Sequence, residues 1–428
     1  MVTKGEIRVR ARQRFLQILM LVIVLLVGVS FVPLLPAEAA GSPDHVTLTW
    51  TADPKTTQTI TWRTGSTTVG GQVEYAEANN VGLFPGSART VTAGITALQT
   101  NLGDMAIHSA TLIGLKPGTK YIYRVGGADG WSDPRTFTTE VAVVSGFKFL
   151  VFGDSQSVNY GLWRATLTQA YKANDDAVFF TNVGDLVDVG QDYSHWNRWF
   201  DAAEGVADTI AVMPITGNHE NYTPERRFSL PVFFTDQFKL PPNGPAGLVG
   251  QVYSFDYGDA HFVMLDSQEG EQREFIPDML SIQRAWLEQD LGGTNKKWKI
   301  VFVHRPLYNN KPGATNTNIQ KAFSPVFDKY HVDVVFTGHD HTYARTYPLY
   351  GDMATDSAAT GTVYVASGRS GAKVYSNTIA KEWNKVFYNP WDEPNYITVE
   401  VSGDVLVVKS FKQSGALIDA WSITKSDK

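Results

Sequence analysis

The sequence contains no cysteine. That excludes disulfides, a lipidated thiol and thiolate metal ligands, so any metal centre must be built from nitrogen and oxygen donors. It also lacks a basic excess: 37 lysines and arginines face 43 aspartates and glutamates, for a formal net charge of −6. A nucleic-acid partner needs a basic stripe against its phosphates, and this balance argues against one. Internal repeats and low-complexity tracts are missing too. With 43% hydrophobic and 12% aromatic residues, the 428-residue chain has core material for two domains, or for one large domain and a module.

A long apolar run lies at the N-terminus, from Phe15 to Leu35, behind Lys4, Arg8, Arg10, Arg12 and Arg14. Pro33 and Pro36 stop it, and Ala37-Glu38-Ala39 forms an A-x-A site. The pattern predicts a secretory leader over residues 1–39, cleaved after Ala39. The alternative is an uncleaved anchor, the one route by which this chain would meet a membrane, since roughly 20 apolar residues can cross a bilayer. An exported protein without disulfides suits a bacterial envelope, either secreted or held at the cell surface.

Residues 42–140 read as an all-β domain. Val46 to Trp50 and Thr59 to Arg63 alternate with period two, threonine on one face and apolar residues on the other. Leu115-Lys116-Pro117-Gly118-Thr119-Lys120-Tyr121 resembles the corner of a fibronectin type III sandwich, in which a tyrosine hydroxyl is tied back to nearby backbone. Seven strands are expected here, serving as a spacer that positions the next domain. From 146 to 426 apolar runs alternate with helical stretches, which predicts an α/β domain. Its tail segments, Thr362 to Ala366, Tyr396 to Val401, Val405 to Phe411 and Ile418 to Ile423, read as edge or closing strands.

In that second region an apolar strand repeatedly ends in a residue that can bind a metal. Phe147 to Phe152 leads to Gly153-Asp154, and Ala177 to Val183 leads to Gly184-Asp185. Ile210 to Thr216 leads to Gly217-Asn218-His219-Glu220, Trp298 to Val303 leads to His304, and Val334 to Thr337 leads to Gly338-His339-Asp340-His341. One Gly-Asp at a strand end is ordinarily a turn. Five such ends in one domain, holding four of only nine histidines, predict a common site beyond the carboxyl ends of the strands. Two metals about 3.5–4 Å apart can grip a phosphate oxygen and make a bound water nucleophilic, which suits in-line attack at phosphorus.

These motifs resemble those of the calcineurin-like metallophosphoesterases and, within them, the purple acid phosphatases. The resemblance runs from about Val46 to Ile423, because that subgroup also carries a fibronectin-like N-terminal domain. It implies a four-layer αββα catalytic domain with Asp185 bridging two metals, Asp154 and His341 completing one site, and Asn218, His304 and His339 the other. It makes His219 an outer group that stabilises charge on phosphorus or protonates the leaving alkoxide. The donor set suits Fe, Mn or Zn.

Three departures matter. Asp188 stands where the purple enzymes have the tyrosine that colours them, which predicts a colourless protein and leaves one metal short of a ligand. Gln156, where many non-purple members have histidine, is a weaker candidate for that oxygen. No histidine pair follows His304; Arg305, Tyr308 and Asn309 are there, and Arg305 is a weaker candidate for clamping phosphate. Val189-Gly190 replaces the Arg-Gly of protein Ser/Thr phosphatases. His195 and Trp196 read as packing, Asp340 and Arg345 as supports, and His45, His108, His261 and His331 as non-functional. The expectation is an exported phosphomonoesterase acting on a small phosphorylated substrate through metal-bound hydroxide. A phosphodiesterase or nucleotide hydrolase of the same fold is the alternative, and a metal-stabilised surface binding protein is the rival from another class.

Overall fold

The computed structural model describes residues 43–425 apart from 69, 79–83, 85, 314 and 315, and these fall in one compact unit. The predicted leader, residues 1–39, lies outside the described residues. Among those described, no helix is long and apolar enough to cross a membrane.

Residues 43–139 build two antiparallel sheets around Leu48, Ile60, Trp62, Val73, Tyr121, Tyr123 and Phe137. The predicted corner is present: the Lys116 N–H donates to the Tyr121 hydroxyl at 2.8 Å. Nine strands form among the described residues, not seven. Two of the pieces are Arg89–Thr92 and Gly94–Thr100, mostly exposed and polar, so they carry little of the period-two signal that marks a half-buried strand. The threonine face is covered. Thr47, Thr49, Thr59 and Thr61 are buried, while Trp50, Leu98 and Ile107 join the core of the second domain. Three of these hydroxyls find partners, Thr59 in Thr111 at 2.9 Å and Thr47 and Thr49 in backbone carbonyls, which lets a polar face be covered, while Thr61 Oγ1 is buried without one.

The remainder is four layers. A six-stranded sheet runs in the order Ala211–Val212, Ala177–Asn182, Phe147–Phe152, Asn395–Ser402, Val405–Lys412, Leu417–Thr424. A seven-stranded sheet runs Tyr253–Tyr257, Ala260–Leu265, Trp298–Val303, Val334–Thr337, Val363–Ser367, Tyr343–Thr346, Asn384–Tyr388. Phenylalanines fill the space between the sheets, Phe149 stacking on Phe179 at 4.8 Å and meeting Phe262 edge-on at 5.3 Å. Each such ring contributes about 1.5–3 kcal/mol by burial. Helices cover the outer faces: Gly161–Ala173 and Tyr193–Ala203 on one side, Met279–Gly293 and Thr317–Tyr330 on the other.

Three tail segments read as edge or closing strands lie inside their sheets, Val405–Lys412 among them, between Asn395–Ser402 and Leu417–Thr424. Asn395–Ser402 pairs antiparallel with the central Phe147–Phe152, and Val363–Ser367 sits between Val334–Thr337 and Tyr343–Thr346. A strand's rank in a sheet is set by partners distant in sequence, which order along the chain does not encode. The run toward Asn218 keeps only Ala211–Val212 as strand, because Pro214 lacks the N–H that a ladder needs. The chain then continues extended, with a parallel bridge from Val183 to Ile215.

His261 is an ion-pair hub away from the strand ends. Its Nδ1 lies 2.7 Å from Asp256 and its Nε2 lies 2.8 Å from Asp290. Burial alone would lower its pKa, but the two carboxylates raise it to about 9. A folded-state value above the unfolded one stabilises fully below about pH 6.5 and is lost as pH rises through 9. His261→Gln is therefore expected to cost on the order of 2 kcal/mol at pH 6. The gap between variant and parent should close by pH 10 in urea melts, and parallel curves at the two pH values would overturn this account.

Candidate metal centre

The motif strands come from both sheets, and their carboxyl ends meet at one mouth. The first sheet brings Asp154, Asp185 and Asn218; the second brings His304, His339 and His341. Packing residues from separate strands so tightly needs unusual backbone. Asp185, His339 and His341 hold φ of 51°, 68° and 55°. Such left-handed non-glycine positions cost roughly 1–3 kcal/mol each and persist where the surroundings over-determine them. Gly184, at φ 83°, has no room for a side chain: a Cβ would lie 2.5 Å from His304 Nδ1 and 2.8 Å from Gly217 Cα.

Two groups of ligand atoms result, Asp154–Asp185–His341 and Asp185–His304–His339, each with its atoms within 4.8 Å of one another, and Asp185 belongs to both. His341 Nε2 is 2.9 Å from Asp154 Oδ2, and His304 Nε2 is 3.4 Å from Asp185 Oδ2. Asn218 Oδ1 lies 2.9 Å from His339 Nδ1 and 3.3 Å from His304 Nε2, which adds an amide oxygen to the second group. The far nitrogens of two imidazoles are committed to backbone: His304 Nδ1 donates to Val183 O and His341 Nδ1 to Lys373 O, both at 2.8 Å. Those bonds fix the tautomer and turn each Nε2 lone pair inward.

The residues fit two cations. Asp154 Oδ2 is buried without a hydrogen-bond donor, and the donor set is carboxylate, amide and imidazole. The protein's own charges already compensate the carboxylates. Burial would raise Asp185, but the imidazoles of His304, His219 and His339 hold it well below the carboxylate range. Burial would lower His304, but Asp185 and Asp154 raise it to about 9. Positive charge is what this pocket is arranged to receive.

His219 stands beside the centre. Its backbone N–H donates to Asp185 Oδ1 at 2.8 Å, and its Nδ1 donates to the Asp188 carbonyl at 2.6 Å. Its Nε2 lies 3.9 Å from Asp185 Oδ2 and faces the ammonium of Lys373 at 3.0 Å. Asp188 belongs to neither ligand group; its carboxylate lies 3.3 Å from His219 Nδ1 and 3.4 Å from Arg226. Gln156 is beside the centre but turns its nitrogen inward: Nε2 donates to Asp185 Oδ2 at 3.0 Å and lies 3.1 Å from His341 Nε2, while Oε1, the oxygen expected as a ligand, faces Lys373 at 3.4 Å. Arg305 pairs with Glu271 at 2.6 Å and brings Nη1 within 3.4 Å of His339 Nε2.

The supporting residues sort cleanly. His195 Nδ1 accepts from the Tyr160 hydroxyl at 3.0 Å, and that hydroxyl accepts from Asp188 N, so the ring braces the loop. Arg345 pairs with Asp419 at 2.7 Å and ties the two sheets together. Asp340 accepts from Asn310 N at 2.5 Å. Sequence reasoning missed Glu220 and Lys373. Glu220 was legible only as the last letter of Gly-Asn-His-Glu, and Lys373 lies on a loop with no motif around it.

Fold and site together define a hydrolase built around a dinuclear metal centre. Residues 43–139 match the purple acid phosphatase N-terminal domain, and residues 147–343 match the calcineurin-like phosphoesterase family. The chain belongs to the calcineurin-like phosphoesterases of the purple acid phosphatase type, and is a hydrolase of the phosphatase kind. Acid phosphatase type 7 of Mus musculus is 27% identical over 366 residues, covering 78% of each chain. Purple acid phosphatase 21 of Arabidopsis thaliana is 29% identical over 323 residues, 73% of this chain and 68% of that one. In fold, a purple acid phosphatase from yellow lupin (Lupinus luteus) seeds superposes with a TM-score of 0.74 at 21% identity, covering 90% of this chain and 74% of that one.

Proposed function

We propose that the chain is an exported phosphatase that hydrolyses phosphate monoesters of small molecules. The observation that carries this reading is the sharing of Asp185 between the two ligand groups, with His219 Nε2 3.9 Å from its Oδ2. Asp154, His341 and Asp185 would hold one ion; Asp185, Asn218, His304 and His339 would hold the other. When bound, such a pair polarises a phosphate oxygen and acidifies a water. Asp185 then fixes the relative position of the two halves of the site. Water adds to phosphorus, the ester P–O bond breaks, and the leaving alkoxide takes a proton, giving an alcohol and inorganic phosphate. The proton the alkoxide takes is the one the attacking water gives up; His219, anchored through Nδ1 to Asp188 O, faces the reacting group through Nε2 and positions it. Export rests on the basic start, apolar run and A-x-A site of residues 1–39.

The test is a paired assay of the chain loaded in turn with Mn, Zn and Fe, comparing p-nitrophenyl phosphate with bis-p-nitrophenyl phosphate. The monoester is expected to turn over faster by about tenfold or more. Faster diester turnover would move the protein to the phosphodiesterase reading and make Arg305 the first residue to vary. No turnover of either ester, with bound metal verified, would favour a metal-stabilised binding protein.

A further inference from the structure

The loop between Val363–Ser367 and Asn384–Tyr388 passes over the centre, and its backbone is clamped to two ligand-bearing motifs. Ser370 N and Gly371 N both donate to Asp154 O, at 3.0 and 2.9 Å. Ala372 N donates to Ser157 Oγ at 3.0 Å, and Lys373 O accepts from His341 Nδ1 at 2.8 Å. A lysine held this way has little freedom in where its stem begins. Its ammonium lies 3.0 Å from His219 Nε2 and 3.4 Å from Gln156 Oε1, on the open side of the centre.

The three cations nearest the site differ in how their charge is used. Arg305 is paired with Glu271 at 2.6 Å. Lys311 donates to His339 O at 3.0 Å and lies over the Tyr375 ring at 4.2 Å. Lys373 is held by neutral acceptors. His219 can accept from it because the imidazole proton is committed at Nδ1 to Asp188 O. The one carboxylate in ion-pair range of Lys373 among the described residues is Asp188, at 4.0 Å, and Asp188 also lies 3.4 Å from Arg226. The lysine's ion-pair partner is thus at the limit of range and shared with Arg226, which leaves a partly exposed, pre-positioned ammonium able to meet an anion.

We propose that Lys373 is a substrate-contacting residue that reads the second negative charge of a phosphate monoester, setting dianionic monoesters above monoanionic diesters. This rests on the phosphatase reading and deepens it by naming the residue behind the substrate class. A diester presents one charge to the centre and leaves Lys373 without a second. A monoester presents two, and the ammonium takes the oxygen that the ligand cluster does not engage.

The test uses the metal-loaded full chain and the variants Lys373→Gln and Lys373→Arg. Glutamine can still donate to His219 but carries no charge, so the comparison isolates the charge. For Lys373→Gln, kcat/KM on p-nitrophenyl phosphate should fall about 10²-fold, while that on bis-p-nitrophenyl phosphate changes by less than about threefold. Arginine should restore most of the loss. Calorimetric binding of inorganic phosphate should weaken about tenfold in Lys373→Gln. Equal losses on the two esters, or unchanged monoester turnover, would overturn the proposal. If the parent protein hydrolyses neither ester with metal bound, the phosphatase reading falls, and phosphate binding still decides the lysine: equal affinity in parent and Lys373→Gln overturns its role as an anion contact, while a tenfold loss upholds it.

Discussion

Asp185→Asn is expected to lose at least about 10³-fold in turnover while the protein stays folded. The side chain is buried and belongs to both ligand groups. Its Oδ1 accepts from His219 N at 2.8 Å, and its Oδ2 is 3.0 Å from the Gln156 amide and 3.4 Å from His304 Nε2. Asparagine has the same shape but no charge, and one of its two ends becomes an N–H₂ donor. Whichever end faces the ligand cluster, one neighbour loses an acceptor and the two halves of the site lose their shared atom. Metal content should drop below two ions per chain by elemental analysis, with an unchanged far-ultraviolet spectrum. In the metal-free protein the substitution also removes the principal charge that holds His304 up near 9, so the variant should take up fewer protons as pH falls from 9 to 7. Retention of two ions and of turnover within about tenfold of the parent would remove Asp185 from its place at the centre.

Much of this site was legible in the sequence because its chemistry is repeated. An apolar run that ends in glycine and a ligand residue carries the same message five times, and the strand ends are brought together by the parallel pairing of the two sheets. The β sandwich was legible through Tyr121, whose hydroxyl takes the Lys116 N–H as the local motif implies. What stayed hidden depends on contacts between distant segments. Nothing near Asn395–Ser402 says that it lies beside Phe147–Phe152, since both are ordinary apolar strands. The burial of the sandwich's threonine face was not legible either, because threonine suits both water and a hydroxyl network. Lys373 was invisible for the same reason: its neighbours in sequence are unremarkable, and its role comes from His341, His219 and Gln156, all at least 32 positions away. Asp188 was visible as a departure, and the structure gives the aspartate its own work through its carboxylate, 3.3 Å from His219 Nδ1 and 3.4 Å from Arg226.

Glu220 shows how much a motif's last letter can carry. Its side chain is fully buried, and it accepts from Gly217 N at 2.6 Å, Asp185 N at 2.9 Å and Val187 N at 3.1 Å. One carboxylate thus ties the turn that presents Asp185 to the turn that presents Asn218. Burial and the neighbouring Asp185 charge push the acid upward, while the N–H groups of Gly217 and Val187 pull the other way. Cations at the centre would offset the Asp185 charge, so loading should stabilise the parent beyond simple binding. Glu220→Gln places an N–H₂ donor against backbone N–H donors, and Glu220→Ala leaves all three without an acceptor. Unsatisfied buried donors cost about 1–3 kcal/mol each, and neighbouring ones do not simply add, so Glu220→Ala should lose about 3–5 kcal/mol when metal-loaded. The loss should be smaller without metal, because removing Glu220 also relieves its repulsion with Asp185. Calorimetric melts of both variants with and without Mn, alongside monoester turnover, separate these contributions. A loss that is equal with and without metal would mean that Glu220 supports the loops without feeling the charge of the centre. Unchanged melting and turnover would mean that the backbone of Gly184–Val187 holds its left-handed turn unaided.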